Sequence, residues 1–128
     1  MKRDMELVIR ILKVIEEYHT SRSLSLSLED EGYEDMIVQY HLRIMAEAGL
    51  IVIDDVSTFA GGQYYINGMT WLGHDFLDSA RNEKVLIAAK EKAESKGFDF
   101  KSLPIDVIKE LLTEGAKNLL ECNEIKRS

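Results

Sequence analysis

Several things are scarce in this sequence, and each shortage narrows what the chain can be. There is one cysteine, Cys122, in 128 residues, which excludes an internal disulfide and fits a reducing cytoplasm. No apolar run approaches the roughly 20 residues needed to cross a bilayer, so no membrane span is expected. Met1-Lys2-Arg3-Asp4 leads directly into an amphipathic stretch with Glu6, Glu16 and Glu17, unlike the apolar region of a signal peptide. His19, His41, His74 and Cys122 share no metal-ligand spacing. Gly61-Gly62 lacks the following helix and lysine of a phosphate loop, and no carboxylate pair stands out from the general acidity. The expectation is therefore no catalytic residue, no metal, no cofactor and no enzyme. Positive charge is also short: 16 basic residues against 23 acidic ones leave a net charge of −7, which favours solubility. Hydrophobic content of 45% and charged content of 30% are ordinary for a globular protein, and the length suits one domain, 1–128, with a single core.

What is present is concentrated between Glu34 and Asp78. Ile37, Tyr40, Ile44, Met45 and Ala48 recur at helical spacing and predict one buried face, with Val38 and Leu42 as a second, narrower stripe. Gly49 stands where a helix ends in a left-handed residue, with Leu50 free to fold back on the last turn. Leu50 to Ile53 reads as a strand that Asp54 and Asp55 interrupt, Gly61-Gly62 as a turn, and Gln63 to Met69 as the returning strand. Thr70 suits an N-cap, and Leu72, Phe76, Leu77 and Ala80 then share one helical face.

Helix, Gly49-Leu50-Ile51, hairpin and Thr70-Trp71-Leu72-Gly73 in that order resemble a winged helix. The expected fold is α+β, mainly α: a winged helix-turn-helix core over 1–80 with a small antiparallel β-hairpin as its wing, and two additional C-terminal helices over 81–128. More narrowly, the chain resembles a bacterial and prophage family catalogued as domain of unknown function 2513. The residues carrying that resemblance are Met1 to Met5, Gly32-Tyr33, Tyr40-His41-Leu42, Glu47 to Ile51 and Thr70 to Asp78. The resemblance implies a fold and supplies no mechanism.

Before this stretch, Asp4 is an N-cap candidate for a helix whose face is Met5, Val8, Ile9, Leu12 and Ile15. Ser23 to Leu28 alternates serine and leucine strictly, which predicts a short strand pairing with the hairpin. Glu29-Asp30-Glu31 and Glu34-Asp35 then leave room for at most one turn where most helix-turn-helix proteins have a second helix. After it, Glu83 to Lys96 reads as a weakly apolar helix ended by Gly97. Ser102 is expected to cap a last helix, with Pro104 in its first turn and Ile105, Val107, Ile108, Leu111, Leu112, Leu119 and Leu120 as its stripe. Gly115 costs that helix about 1 kcal/mol relative to alanine.

The winged-helix pattern suggests DNA, and the charge pattern argues against it. From Met36 to Ala80 the one full positive charge is Arg43, against Glu47, Asp54, Asp55, Asp75 and Asp78, a balance of −4. Phosphate binding needs lysine and arginine. Gln39, His41 and Arg43 are the candidates for base contacts, and Arg10 and Lys13 for an atypical nucleic-acid surface on the first helix. His41 reads more simply as a hydrogen-bonding residue at the core edge. For a protein partner, the candidates are Tyr33 beside the acidic turn and Trp71, which either closes the core against the hairpin or anchors an interface. Leu111, Leu112 and Leu119 could join two copies through the last helix. The expected function is a small, cytoplasmic, regulator-like protein that binds nucleic acid or protein; the alternative is a protein-interaction module whose acidic face has lost DNA binding.

Overall fold

Eight of the 14 residues of α1 (Met5–Tyr18) are buried: Met5, Leu7, Val8, Ile9, Ile11, Leu12, Val14 and Ile15. The single stripe expected from spacing omits Leu7, Ile11 and Val14. A helix apolar on most of its circumference is packed on several sides, and α1 contacts both α2 (Asp35–Glu47) and the hairpin strand β2 (Tyr64–Met69). Each such side chain contributes about 1.5–3 kcal/mol on burial, so α1 is the main apolar element of its unit. Asp4 caps it as expected, its Oδ1 accepting from the N–H groups of Glu6 and Leu7 at 2.9 and 3.3 Å.

In this computed structural model the backbone is described for residues 1–127 and side chains for residues 1–120, so Cys122 lies outside the described side chains. The architecture is mainly helical, with five α-helices and one two-stranded antiparallel hairpin among the described residues. The chain forms two compact units, Met1–Asp75 and Phe76–Ser128.

In the first unit, α1 is followed by Leu24, which makes a single antiparallel bridge to Ile66 with both backbone bonds at 2.8 Å. The expected strand over Ser23 to Leu28 is thus reduced to one paired residue, although its alternation holds: Leu26 and Leu28 are buried and the serines exposed. A single 3-10 turn, Glu29–Glu31, stands where a second helix would be. On α2 the buried side is Val38, Gln39, His41, Leu42 and Met45. The expected face of Ile37, Tyr40 and Ile44 is half-buried and Ala48 is exposed. The reason is His41: read as polar, it hides a stripe at i, i+3, i+4 and i+7 that runs through it.

The end of α2 has a Schellman motif: Gly49, at φ 81°, donates to Ala46 and Leu50 donates to Met45. Strand β1 (Ile51–Asp55) follows and pairs with β2 in the register Ile51↔Met69 to Asp55↔Tyr64, broken by a bulge after Val52. Asp54 and Asp55 therefore lie within the strand rather than interrupting it. Asp55 also fastens the hairpin loop, because its carboxylate accepts from the Ser57 N–H at 2.9 Å. Hydrogen bonds from the Ser57 side chain and backbone hold its pKa below the usual carboxylate range.

Thr70 joins the hairpin to α3 (Trp71–Ala80). Its N–H donates to the Leu50 carbonyl at 3.0 Å, and its Oγ1 lies 3.0 Å from both that carbonyl and the Gly73 N–H. A Cβ at position 73 would lie 2.2 Å from the Leu50 oxygen and 2.6 Å from Met69 Cγ. Leu50 and Thr70-x-x-Gly73 are therefore two halves of one joint: the threonine hydroxyl links strand to helix, and glycine leaves space for the carbonyl between them.

Leu72, in the part of α3 that belongs to the first unit, is exposed, contrary to its expected place on that face; the rest of α3 gives the second unit buried Phe76, Leu77 and Ala80. Asn82 caps α4 (Glu83–Ser95), and α4 packs on α5 (Ile105–Arg127). Gly115 is where they approach, since a Cβ there would meet Val85 Cγ1 at 3.3 Å. Lys92 and Glu114 join the two helices at 2.6 Å, and that hydrogen bond lowers the Glu114 pKa. Ser102 does not cap α5. It lies in a 3-10 turn, Phe100–Ser102, bonded to Asp99, and the carbonyl of Pro104 accepts the first helical bond, from Ile108.

Candidate interaction site

The residues proposed to read bases divide by direction. His41 is fully buried. Its Nε2 lies 2.9 Å from the Asp4 backbone N–H, and its Nδ1 lies 2.8 Å from the Ile37 carbonyl. A backbone N–H can only donate, so Nε2 is the acceptor and Nδ1 carries the proton. The ring is a neutral peg between the cap of α1 and the body of α2. Gln39 is also buried; its Oε1 accepts from the Tyr64 N–H at 2.8 Å and its Nε2 donates to Asp35 at 3.3 Å, tying α2 to β2. Both side chains tie separate parts of the chain together through these bonds, and Gln39 lies at the edge of a surface groove. Arg43 alone of the three faces outward, 3.3 Å from Glu47 and 5.3 Å above the Tyr40 ring.

On α1, Arg10 grips Glu31 with two bonds, at 2.6 and 2.9 Å. That pairing raises the Arg10 pKa and holds the Glu31 carboxyl below its ordinary range. Arg10 thus closes the 3-10 turn onto α1, and Lys13, three residues further along the helix, is half-buried. Tyr33 is half-buried after the turn. Trp71 is 84% exposed, so it does not close the core. On α5, Leu112 is fully buried and Leu111 and Leu119 are half-buried, so the three do not form one exposed strip.

What the structure does bring together is an open groove of about 510 Å³ between the outer side of α2 and the hairpin loop. Met1, Met36, Tyr40 and Tyr64 provide apolar walls, and Gly61-Gly62 forms the loop side. Asp35 and Arg43 border it eight residues apart on α2, about 12 Å of helix rise. Met1 and Met36 are 68% and 65% exposed, and Phe59, beside the loop rim, is exposed completely. Glu34 opens α2 without making a capping hydrogen bond, and neither Glu34 nor Asp35 has a cationic partner among the described residues. Sequence reading missed Met1, Met36 and Tyr64. Among the described residues no three His, Cys, Asp or Glu side chains are placed to hold a metal, and no helix is long and apolar enough to cross a membrane.

Fold and site together define a mainly helical α+β protein with a hairpin and an amphipathic groove against its second helix. The chain belongs to the family described as hypothetical protein (DUF2513), whose model matches residues 2–99. It is similar to an uncharacterized protein of Haemophilus influenzae, 32% identical over 111 residues that cover 87% of this chain and 92% of that one. No solved structure matches.

Proposed function

We propose that this is a small cytoplasmic binding protein of winged-helix type, regulator-like and without catalytic role, whose α2-and-hairpin face takes a protein rather than DNA. The winged-helix reading is supported by the order helix, turn, helix, hairpin, helix and by the Leu24–Ile66 bridge to the hairpin. The observation that carries the choice of partner is the inward commitment of Gln39 and His41. Without them, α2 offers one outward cation, Arg43, already beside Glu47, and two acids at its N-terminus. A duplex carries one negative charge per about 1.7 Å of axis, and a surface that neutralises few phosphates gains little from counterion release.

Nucleic-acid binding through α1 has less support, since Arg10 is engaged by both oxygens of Glu31. A homodimer through α5 is likewise weakened by the burial of Leu112. The test is fluorescence anisotropy of a labelled random-sequence duplex titrated with the full chain from low to physiological salt. The reading predicts no saturable binding at any salt. Saturable, salt-dependent binding that Arg43→Glu or Lys13→Glu abolishes would overturn it.

A further inference from the structure

We infer that the groove between α2 and the hairpin loop is a docking site for a peptide segment of a partner protein, one carrying a large apolar anchor flanked by lysine or arginine. This rests on the protein-binding reading above and adds the site and the chemistry of the occupant.

Three observations support it. First, the apolar surface is concentrated. Met1 and Met36 are each mostly exposed around one concavity, backed by the half-buried rings of Tyr40 and Tyr64. Scattered surface hydrophobes need no explanation, whereas a cluster with a polar rim marks an interaction site. Second, the walls suit a side chain of a partner. Methionine is unbranched and polarisable and adapts to irregular apolar shapes, and a volume of about 510 Å³ falls within the usual range for ligand sites. Third, the α2 end of the groove carries Asp35, preceded in sequence by Glu34, and neither has a cationic partner among the described residues. Glu34 and Asp35 bring two full charges, which outweigh the roughly half positive charge of a helix N-terminus. Arg43, the groove's cation, is offset by Glu47 at 3.3 Å. An anionic occupant would meet these acids, and a wholly apolar one would leave them desolvated; a basic flank satisfies both.

The test begins by panning a random peptide library, displayed on phage, over the immobilised full chain. The recovered peptides are then measured in solution against three proteins: wild type, Met36→Lys, and the double variant Glu34→Gln with Asp35→Asn. Met36 is exposed, so its substitution spares the core. Asparagine at 35 keeps an oxygen for the Gln39 amide, so the double variant removes charge without breaking that bond. Enriched peptides should carry lysine or arginine within a few residues of leucine, methionine, phenylalanine or tryptophan. Met36→Lys should weaken them by about tenfold or more, the loss typical of an interface anchor. The double variant should weaken them severalfold and flatten their salt dependence.

Peptides that bind all three proteins equally would overturn the groove as the site, as would recovery of no peptide. Peptides without a basic residue would overturn the stated occupant. Concentration-dependent self-association that Met36→Lys abolishes would assign the groove to a second copy and overturn it also. Peptides docking elsewhere, around Trp71 for example, leave the protein-binding reading standing while this inference fails. Duplex binding by the wild type removes that reading independently of the groove result.

Discussion

The two sides of α2 use similar residue types for opposite ends. Gln39 and His41 are buried, His41 on the core side and Gln39 at the edge that also lines the groove, and each bonds a backbone N–H from a distant part of the chain, at Tyr64 and Asp4. On the outer side, Met36, Tyr40 and Arg43 line the groove, Met36 largely exposed and Arg43 beside Glu47 and over the Tyr40 ring. Polar residues on a helix are therefore no guide to a binding face unless their partners are known. Here Gln39 and His41 fasten and the exposed Met36 is on offer. The inner side continues beyond the helix into the joint of Gly49, Leu50, Thr70 and Gly73.

The contrast can be broken hardest at that joint. Gly73→Ala places a Cβ 2.2 Å from a backbone oxygen and should destabilise the protein by about 3 kcal/mol or more in urea unfolding, because backbone must move. His41→Leu keeps the volume but leaves the Asp4 N–H without its acceptor, which should cost about 1–3 kcal/mol. In the wild type, nitrogen chemical shifts should report the Nδ1–H tautomer. Gln39→Leu should cost about 1 kcal/mol by releasing the Tyr64 N–H. Met36→Lys, at an exposed position one turn before Gln39 on the same groove, should stay within about 0.5 kcal/mol of wild type. If Met36→Lys proved the more damaging to stability, the division between fastening and offered sides would be wrong.

The smallest effect concerns the Arg10–Glu31 pair. The folded pKa of Glu31 lies below its unfolded value. Its contribution is therefore present above the unfolded carboxylate pKa and lost as pH falls through the folded one. Arg10 is shifted upward, so its contribution is complete below its unfolded pKa and fades only as pH rises through the folded value, far into alkali. Glu31→Gln should make the acid side of the stability curve slightly flatter and leave neutral pH nearly unchanged. The pair is half-exposed and should weaken with added salt.

Local rules carried much of the fold into view. The Asp4 cap, the Gly49 C′ residue, the Thr70 cap and the hairpin around Gly61-Gly62 each depend on a few neighbouring residues whose chemistry is specific. The phase of α2 was misread because His41 looks polar in sequence and behaves as core once both ring nitrogens are bonded. Asp54 and Asp55 look like strand breakers, yet strand pairing with Tyr65 and Tyr64 accommodates them. The groove was not legible, since it is assembled from residue 1, residues 35–43 and residues 60–64. Spacing within one segment cannot show that Met1 and Met36 meet the same loop. Sequence left two places open for Trp71, over the core or on the surface, because whether an aromatic at a helix start covers the core depends on the angle between elements; it is exposed.

The most direct test of the central claim is an amide-shift titration of the isotope-labelled full chain with a short random-sequence duplex at low salt. The account predicts that the signals of residues 36–43 and 56–64 stay where they are at every ratio of duplex to protein. Progressive, saturating movement of those signals, with Arg43 among the most affected, would contradict it.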